Sequence, residues 1–221
     1  MAQGTHKSYT GEEFLEIMEG IIDWKKSAMG YSKDENLFQT AFAEGAGTTA
    51  ADWFPVGIGR SGYPDDYSAY LAVLGDQITK KYTKHGTLDR SKATEWHRIS
   101  LAVLSLGGDP TDIGTDGDGN HVNLIADGSY YRGKTTSLGN QGINGMIWGL
   151  IQMDSLRYVI PEDATDTRDG IVKYLLSQQK ENGGFSLIPD AVEADVDLQE
   201  WQSRLWHPII TVNKLIHIHE M

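Results

Sequence analysis

Two kinds of helical stretch alternate along this chain, and the alternation restricts what it can fold into. From Thr10 to Ala28, Phe14, Ile17, Met18, Ile21 and Ile22 recur at helical spacing and form one apolar stripe. From Thr94 to Leu106, by contrast, Trp96, Ile99, Leu101, Val103, Leu104 and Leu106 leave almost no polar side. Ile143 to Met153 is the same, through Met146, Ile147, Trp148, Leu150 and Ile151. A striped helix keeps one face in water, whereas a helix apolar all round must be covered on every side. Concentric helices, an amphipathic outer set around a buried inner set, satisfy both demands. The expected fold class is therefore all-α.

Boundary signals support these stretches. Thr10 and Glu13 have capping-box spacing at the start of the first helix. Asp52 to Gly59 reads as a short helix with Trp53, Phe54, Val56 and Ile58, and Pro55 is expected in its first turn, where proline is tolerated. Asp65 to Tyr82 carries Tyr67, Tyr70, Leu71, Leu74 and Ile78 on one stripe, with Lys80, Lys81 and Lys84 near the negative pole. Thr165 to Gln179 is one-sided again, through Ile171, Val172, Leu175 and Leu176. The glycine-rich segment from Asp112 to Gly139 reads as loop, with a short helix near Val122–Ala126. Arg60-Ser61-Gly62, Leu106-Gly107-Gly108 and Met153-Asp154-Ser155 each close an apolar helix, and successive endings lie about 46 residues apart. A two-helix repeat of that period describes open solenoids as well as closed rings.

Composition narrows the partners. With a net charge of −12 the chain would be repelled by nucleic acid and by an anionic membrane surface. No apolar run is long enough to span a bilayer. Met1 to Tyr9 carries no apolar h-region, so no signal peptide is expected there. Cysteine is absent, which excludes disulfides and thiolate chemistry.

Gln179-Lys-Glu-Asn-Gly183-Gly184-Phe185, at the end of a helix, resembles the Gln-x-x-x-Gly-x-Trp/Phe repeat of the terpenoid cyclase and protein prenyltransferase superfamily. In that repeat the glutamine hydrogen-bonds the following turn and the aromatic stacks beneath it. Lys84-His85-Gly86 occupies the matching place earlier, without the aromatic. Asp52-Trp53-Phe54, Trp96-His97-Arg98 and Gln141-Gly142-Ile143-Asn144-Gly145-Met146-Ile147-Trp148 are similar to phrases in the prenyltransferase-like toroid domains of Gram-positive bacterial surface or secreted proteins. The resemblance implies an α/α toroid over residues 10–198, incomplete at its C-terminal end; residues 1–9 are expected to be a disordered N-terminal segment. It also implies an extracellular or cell-surface location.

The third region, residues 199–221, departs from the pattern. After Asp195-Val196-Asp197-Leu198 the resemblance implies a last apolar helix ending in Ala-Pro-Tyr-Tyr. Codons that encode Leu198 to Lys214 can, read from the last base of the leucine codon, also encode Thr-Gly-Met-Ala-Ile-Ala-Ala-Leu-Ala-Pro-Tyr-Tyr-Asn-Ser-Lys. The expectation is that one base is missing near Leu198 and that 199–221 is out-of-frame sequence. An unbroken frame carrying Gln199 onward in closely related genes would refute it.

Several residues invite chemistry. Asp195 and Asp197 resemble the Asp-x-Asp-Asp acid motif of class II terpene cyclases, Asp197 as general acid and Asp195 as its partner, but Leu198 replaces the third aspartate. The plainer reading is an acidic N-cap. Zinc-dependent prenyl transfer on this fold requires cysteine, and Asp65-Asp66 lacks the further aspartate of a magnesium site. Asp112, Asp116, Asp118 and Asn120 alternate like calcium ligands, yet His121 stands where the loop glycine is expected. Gly57-Ile-Gly59-Arg-Ser-Gly62 has dinucleotide-binding spacing but ends a helix rather than leaving a strand. Any cavity would be lined from Trp53, Trp96, His97, Asn144 and Trp148, residues that more often simply pack.

The reading that follows is a non-catalytic module without a cofactor, binding a small hydrophobic molecule or an adjacent protein domain. The alternatives are a cyclase-like isomerase using Asp197 and, by fold analogy alone, a corrinoid carrier.

Overall fold

The computed structural model describes residues 8–132, 137–188 and 191–195. Its regular elements there are helical, with one isolated antiparallel bridge between Thr115 and His121. The helices are α1 (Gly11–Ala28), α2 (Thr49–Ser61), α3 (Tyr67–His85), α4 (Thr94–Ser105), α5 (Ile143–Asp154) and α6 (Arg168–Ser177). They fall into two compact units, one formed by residues 1–90 and 94–128, the other by 91–93 and 129–221.

In the first unit, α1 opens with both arms of the capping box. Thr10 Oγ1 accepts from the Glu13 amide at 3.2 Å, and Glu13 Oε2 accepts from the Thr10 amide at 2.9 Å. The packing edge of α1 differs from the expected stripe. Phe14, Ile17 and Ile21 are exposed, while Ile22 and Lys26 are buried and Met18 is half-buried. On the inward edge, Ile22 joins the core and Lys26 Nζ donates to the Lys33 carbonyl of the following loop at 2.9 Å. Met18 then lies against Gly57 of α2, where its Cε would stand 3.2 Å from an added Cβ.

Pro55 also departs from expectation. The helix begins at Thr49, three residues earlier than the apolar pattern suggests, so Pro55 falls in its second turn and is buried there. The polar residues Thr48 and Thr49 hid that start; the Ala51 and Asp52 amides already bond the Thr48 carbonyl. Gly62 ends α2 at φ +71°, and the Tyr63 amide reaches back to the Ile58 carbonyl at 3.1 Å. The dinucleotide-like glycines therefore serve a helix end and a helix contact.

α3 buries Tyr70, Leu74, Ile78 and Tyr82, one residue per turn, as its stripe predicts. Its N-cap Asp66 accepts from the Ala69 amide at 3.0 Å. The neighbouring Asp65 carboxylate receives the Leu37 and Phe38 amides at 3.0 and 3.1 Å, holding a 3₁₀ turn (Leu37–Gln39) that periodicity does not reveal. No residue of α4 is exposed, in keeping with its all-round apolar pattern. After α4, Gly107 takes φ +80° and the Gly108 amide bonds the Val103 carbonyl at 2.9 Å. The helix expected near Val122–Ala126 begins there but continues as a π-helical turn, Ala126–Tyr130.

In the second unit, α5 has no exposed residue before Asp154. Gly145 lets it meet the 3₁₀ turn Leu138–Gln141: a Cβ there would lie 2.0 Å from the Leu138 carbonyl oxygen. α6 packs on α5 through Ile171 and Leu175, with an ion pair between Arg168 and Asp154. After α6, Gln179 Nε2 donates to the Gly183 carbonyl at 2.9 Å and Phe185 is buried.

Candidate functional site

A densely bonded polar group in the first unit is Arg98, 5% exposed on α4. Its Nε donates to Asp52 Oδ2 on α2 at 2.9 Å. One terminal nitrogen donates to Glu95 Oε1 at 2.8 Å and Thr49 Oγ1 at 3.0 Å. The other donates to Glu95 Oε2 at 2.8 Å and the Gly47 carbonyl at 3.2 Å. All five guanidinium donors are thereby used. Asp52, fully buried, also accepts from the Gly47 amide at 2.9 Å and from the Tyr70 hydroxyl of α3 at 2.7 Å. Burial acts to lower the Arg98 pKa, but the hydrogen bonds and charges of Glu95 and Asp52 outweigh it and raise it. Three helices are thus fastened by one saturated network, whose chemistry is cohesive.

Tyr70 gives the network a pH signature. Burial first, then the Asp52 charge and hydrogen bond, push its phenol far above the usual tyrosine value. In the unfolded chain the same phenol ionises near pH ~10. The unfolded state therefore sheds that proton first, so stability is complete below pH ~10 and declines as pH rises further. Chemical unfolding followed from pH ~8 to ~11.5 should show this decline, and Tyr70→Phe should remove about one proton from its slope. At neutral pH the variant should lose about 1–2 kcal/mol, because Asp52 loses one donor.

The residues singled out for ligand binding fall in different settings. Trp96 is fully buried, donating through Nε1 to the Tyr82 hydroxyl at 2.8 Å, which donates onward to Asp127 Oδ2 at 2.7 Å. His97 is equally buried, and its Nε2 donates to the Gly128 carbonyl at 2.8 Å. Trp53 is 43% exposed on α2. Asn144 and Trp148 are half-buried on α5 in the second unit. The structure therefore brings Trp96 together with Tyr82 and Asp127.

Asp116 Oδ1 accepts the amides of Asp118 and Asn120, both at 2.9 Å, and the Asn120 side chain reaches Oδ2 at 3.1 Å. These bonds, the first cause being the Asn120 side chain, hold its pKa below the usual carboxylate range. Among the described residues no three acidic or histidine side chains cluster as a metal set. Asp195 is exposed, and its Oδ2 accepts from the Leu187 amide at 2.7 Å and Ser186 Oγ at 3.1 Å. Asp197 and the segment 199–221 lie outside the described residues.

One surface stands apart. Along α1, Phe14, Ile17, Ile21 and Trp24 are exposed by 47, 44, 45 and 65%. They form a continuous apolar strip on the side left outward by the Met18–Ile22–Lys26 edge. Outside the edge of the strip, Gly20 faces open space, where an added Cβ would meet nothing within 4 Å. Two concavities, of about 460 Å³ beside α3 and about 800 Å³ beside the Gln179 turn, are open. No family model, curated protein or solved structure matches the chain.

Function therefore has to be argued from these surfaces. Sequence reasoning did not single out the Asp52–Arg98 pair, although a signal was present. The two residues stand 46 positions apart, the period of the helix endings. It also read the α1 strip as core, because periodicity reports that a face is apolar and not what covers it.

Proposed function

We propose that this chain is a non-catalytic, all-helical binding module whose working surface is the exposed apolar strip of α1. The observation that carries the reading is the row Phe14, Ile17, Ile21 and Trp24, left in water by a helix that packs through its other edge. Contiguous apolar surface of this kind marks a docking face for protein. A folded protein domain is the partner class, since an exposed helix face offers a protein a broad apolar surface and gives a small molecule no enclosing walls. The concentric toroid arrangement belongs to the same proposal. It is supported by α4 and α5, which expose no residue but Asp154, the one-sided α3 and α6, and the Gln179–Gly183 tie beside the buried Phe185. A place on the bacterial surface rests on the resemblance alone.

The test pairs the unaltered chain with an Ile17→Glu/Ile21→Glu variant, its fold checked by far-UV circular dichroism. The apolar dye bis-ANS should bind the unaltered monomer and lose most of its fluorescence enhancement with the variant. Equal dye binding by both, or a stoichiometric small molecule seen by native mass spectrometry on both, would overturn the docking-face reading.

A further inference from the structure

We infer that Asn182 is a self-modifying site, where the Gly183 nitrogen closes on the asparagine side chain and converts it, through a cyclic imide, to aspartate and isoaspartate. Water is the co-reactant and ammonia the product released. The inference is independent of the α1 docking face.

Two Asn–Gly pairs occur in the sequence, Asn144–Gly145 and Asn182–Gly183. Glycine makes such a pair reactive, because no Cβ shields its nitrogen and the backbone rotates freely to bring it against the asparagine Cγ. The fold separates the two pairs. Asn144 is half-buried in the first turn of α5, and Gly145 is pressed on the Leu138 carbonyl oxygen, where an added Cβ would lie 2.0 Å away. Rotating that peptide would break the helix start and the contact together. Asn182 and Gly183 are exposed in a turn, and Asn182 lines the open concavity beside it, so water reaches the pair.

The turn also prepares the electrophile. The Gly184 amide donates to Asn182 Oδ1 at 3.0 Å, which curls the side chain toward the following peptide and draws electrons from Cγ. Opposing reaction, the Gly183 amide donates to the Lys180 carbonyl at 2.8 Å, and the Lys180 amide to the Gly184 carbonyl at 2.9 Å. Gln179 Nε2 adds its bond to the Gly183 carbonyl at 2.9 Å. The Gly183 amide has to leave its partner before it can attack, so local opening of the turn sets the rate.

In the open turn the Gly183 nitrogen gives its proton to hydroxide and bonds to Asn182 Cγ. The Cγ–Nδ2 bond breaks, and Nδ2 leaves as ammonia with a proton taken from water. Water then adds to one carbonyl of the imide, and the bond from that carbonyl to nitrogen breaks. Opening at Cγ leaves aspartate. Opening at the main-chain carbonyl leaves isoaspartate, with one more carbon in the backbone. The lengthened chain carries the Gly183 carbonyl away from Gln179, so the tie beside Phe185 is lost as the protein ages.

Peptide mapping by mass spectrometry tests the proposal on the full-length protein, held folded in mildly alkaline buffer and compared with an unaged control. The tryptic peptide that begins at Glu181 should exchange ammonia for water at Asn182, and a methyltransferase specific for isoaspartyl carboxylates should label it. Asn144 should stay intact in the folded chain and react in urea. Gln179→Ala should speed the change at Asn182 about fivefold in the folded protein, by releasing one bond of the closed turn, and leave the rate in urea unaltered. Gly183→Ala should slow it at least about tenfold in urea, where folding plays no part. An Asn182 that stays intact in the folded protein while the urea sample converts overturns the proposal. Equal conversion of Asn144, or a folded-state rate indifferent to Gln179→Ala, overturns it as well.

Discussion

Arg98→Met should cost about 3–5 kcal/mol of unfolding free energy, the largest loss expected from one side chain here. The variant keeps an unbranched apolar stem, so little volume is lost. The damage is electrostatic: Asp52, fully buried, would keep only the Gly47 amide and the Tyr70 hydroxyl, with no cation beside it. Glu95 would lose both bonds at 2.8 Å. Urea unfolding followed by tryptophan fluorescence, to which the fully buried Trp96 contributes, measures the shift in midpoint. The double variant Arg98→Met/Asp52→Leu should recover a substantial part of the loss, because it removes the stranded charge as well. A double variant worse than the single one would show that the network acts through shape rather than charge.

The second large effect is expected at Gly59. A Cβ on this residue of α2 would lie 2.0 Å from the Ser105 carbonyl oxygen at the end of α4 and 2.5 Å from its carbon. Both obstacles are backbone, so neither can swing aside as a side chain would. Gly59→Ala should therefore cost about 3 kcal/mol, despite the gain of about 1 kcal/mol from alanine's helix propensity. Gly57→Ala, two residues away, provides the control. There the nearest atom is the flexible end of Met18 at 3.2 Å, and the two effects should nearly cancel. Thermal unfolding of the pair measures the contrast, and equal midpoints would contradict a backbone contact between α2 and α4.

Both predictions concern residues whose identity was plain in the sequence and whose partners were not. The same holds for Asp65 and Asp66, adjacent acids that suggest a metal motif in a string of letters. In the structure one holds a 3₁₀ turn and the other caps α3. It holds again for Asp116, whose alternating oxygen neighbours resemble a calcium loop while its own carboxylate closes a turn around backbone amides.

From the sequence alone came the six α-helices, the capping of α1, the one-sided burial of α3 and the covering of α4 and α5 on nearly every side. These follow from periodicity and end signals, which are local and act through the few residues on either side. Tertiary structure alone decided which edge of α1 turned inward, that Asp52 meets Arg98, and that Gly59 touches α4. Each depends on groups tens of residues away in the chain, and helical spacing carries no record of how a helix is rotated about its own axis.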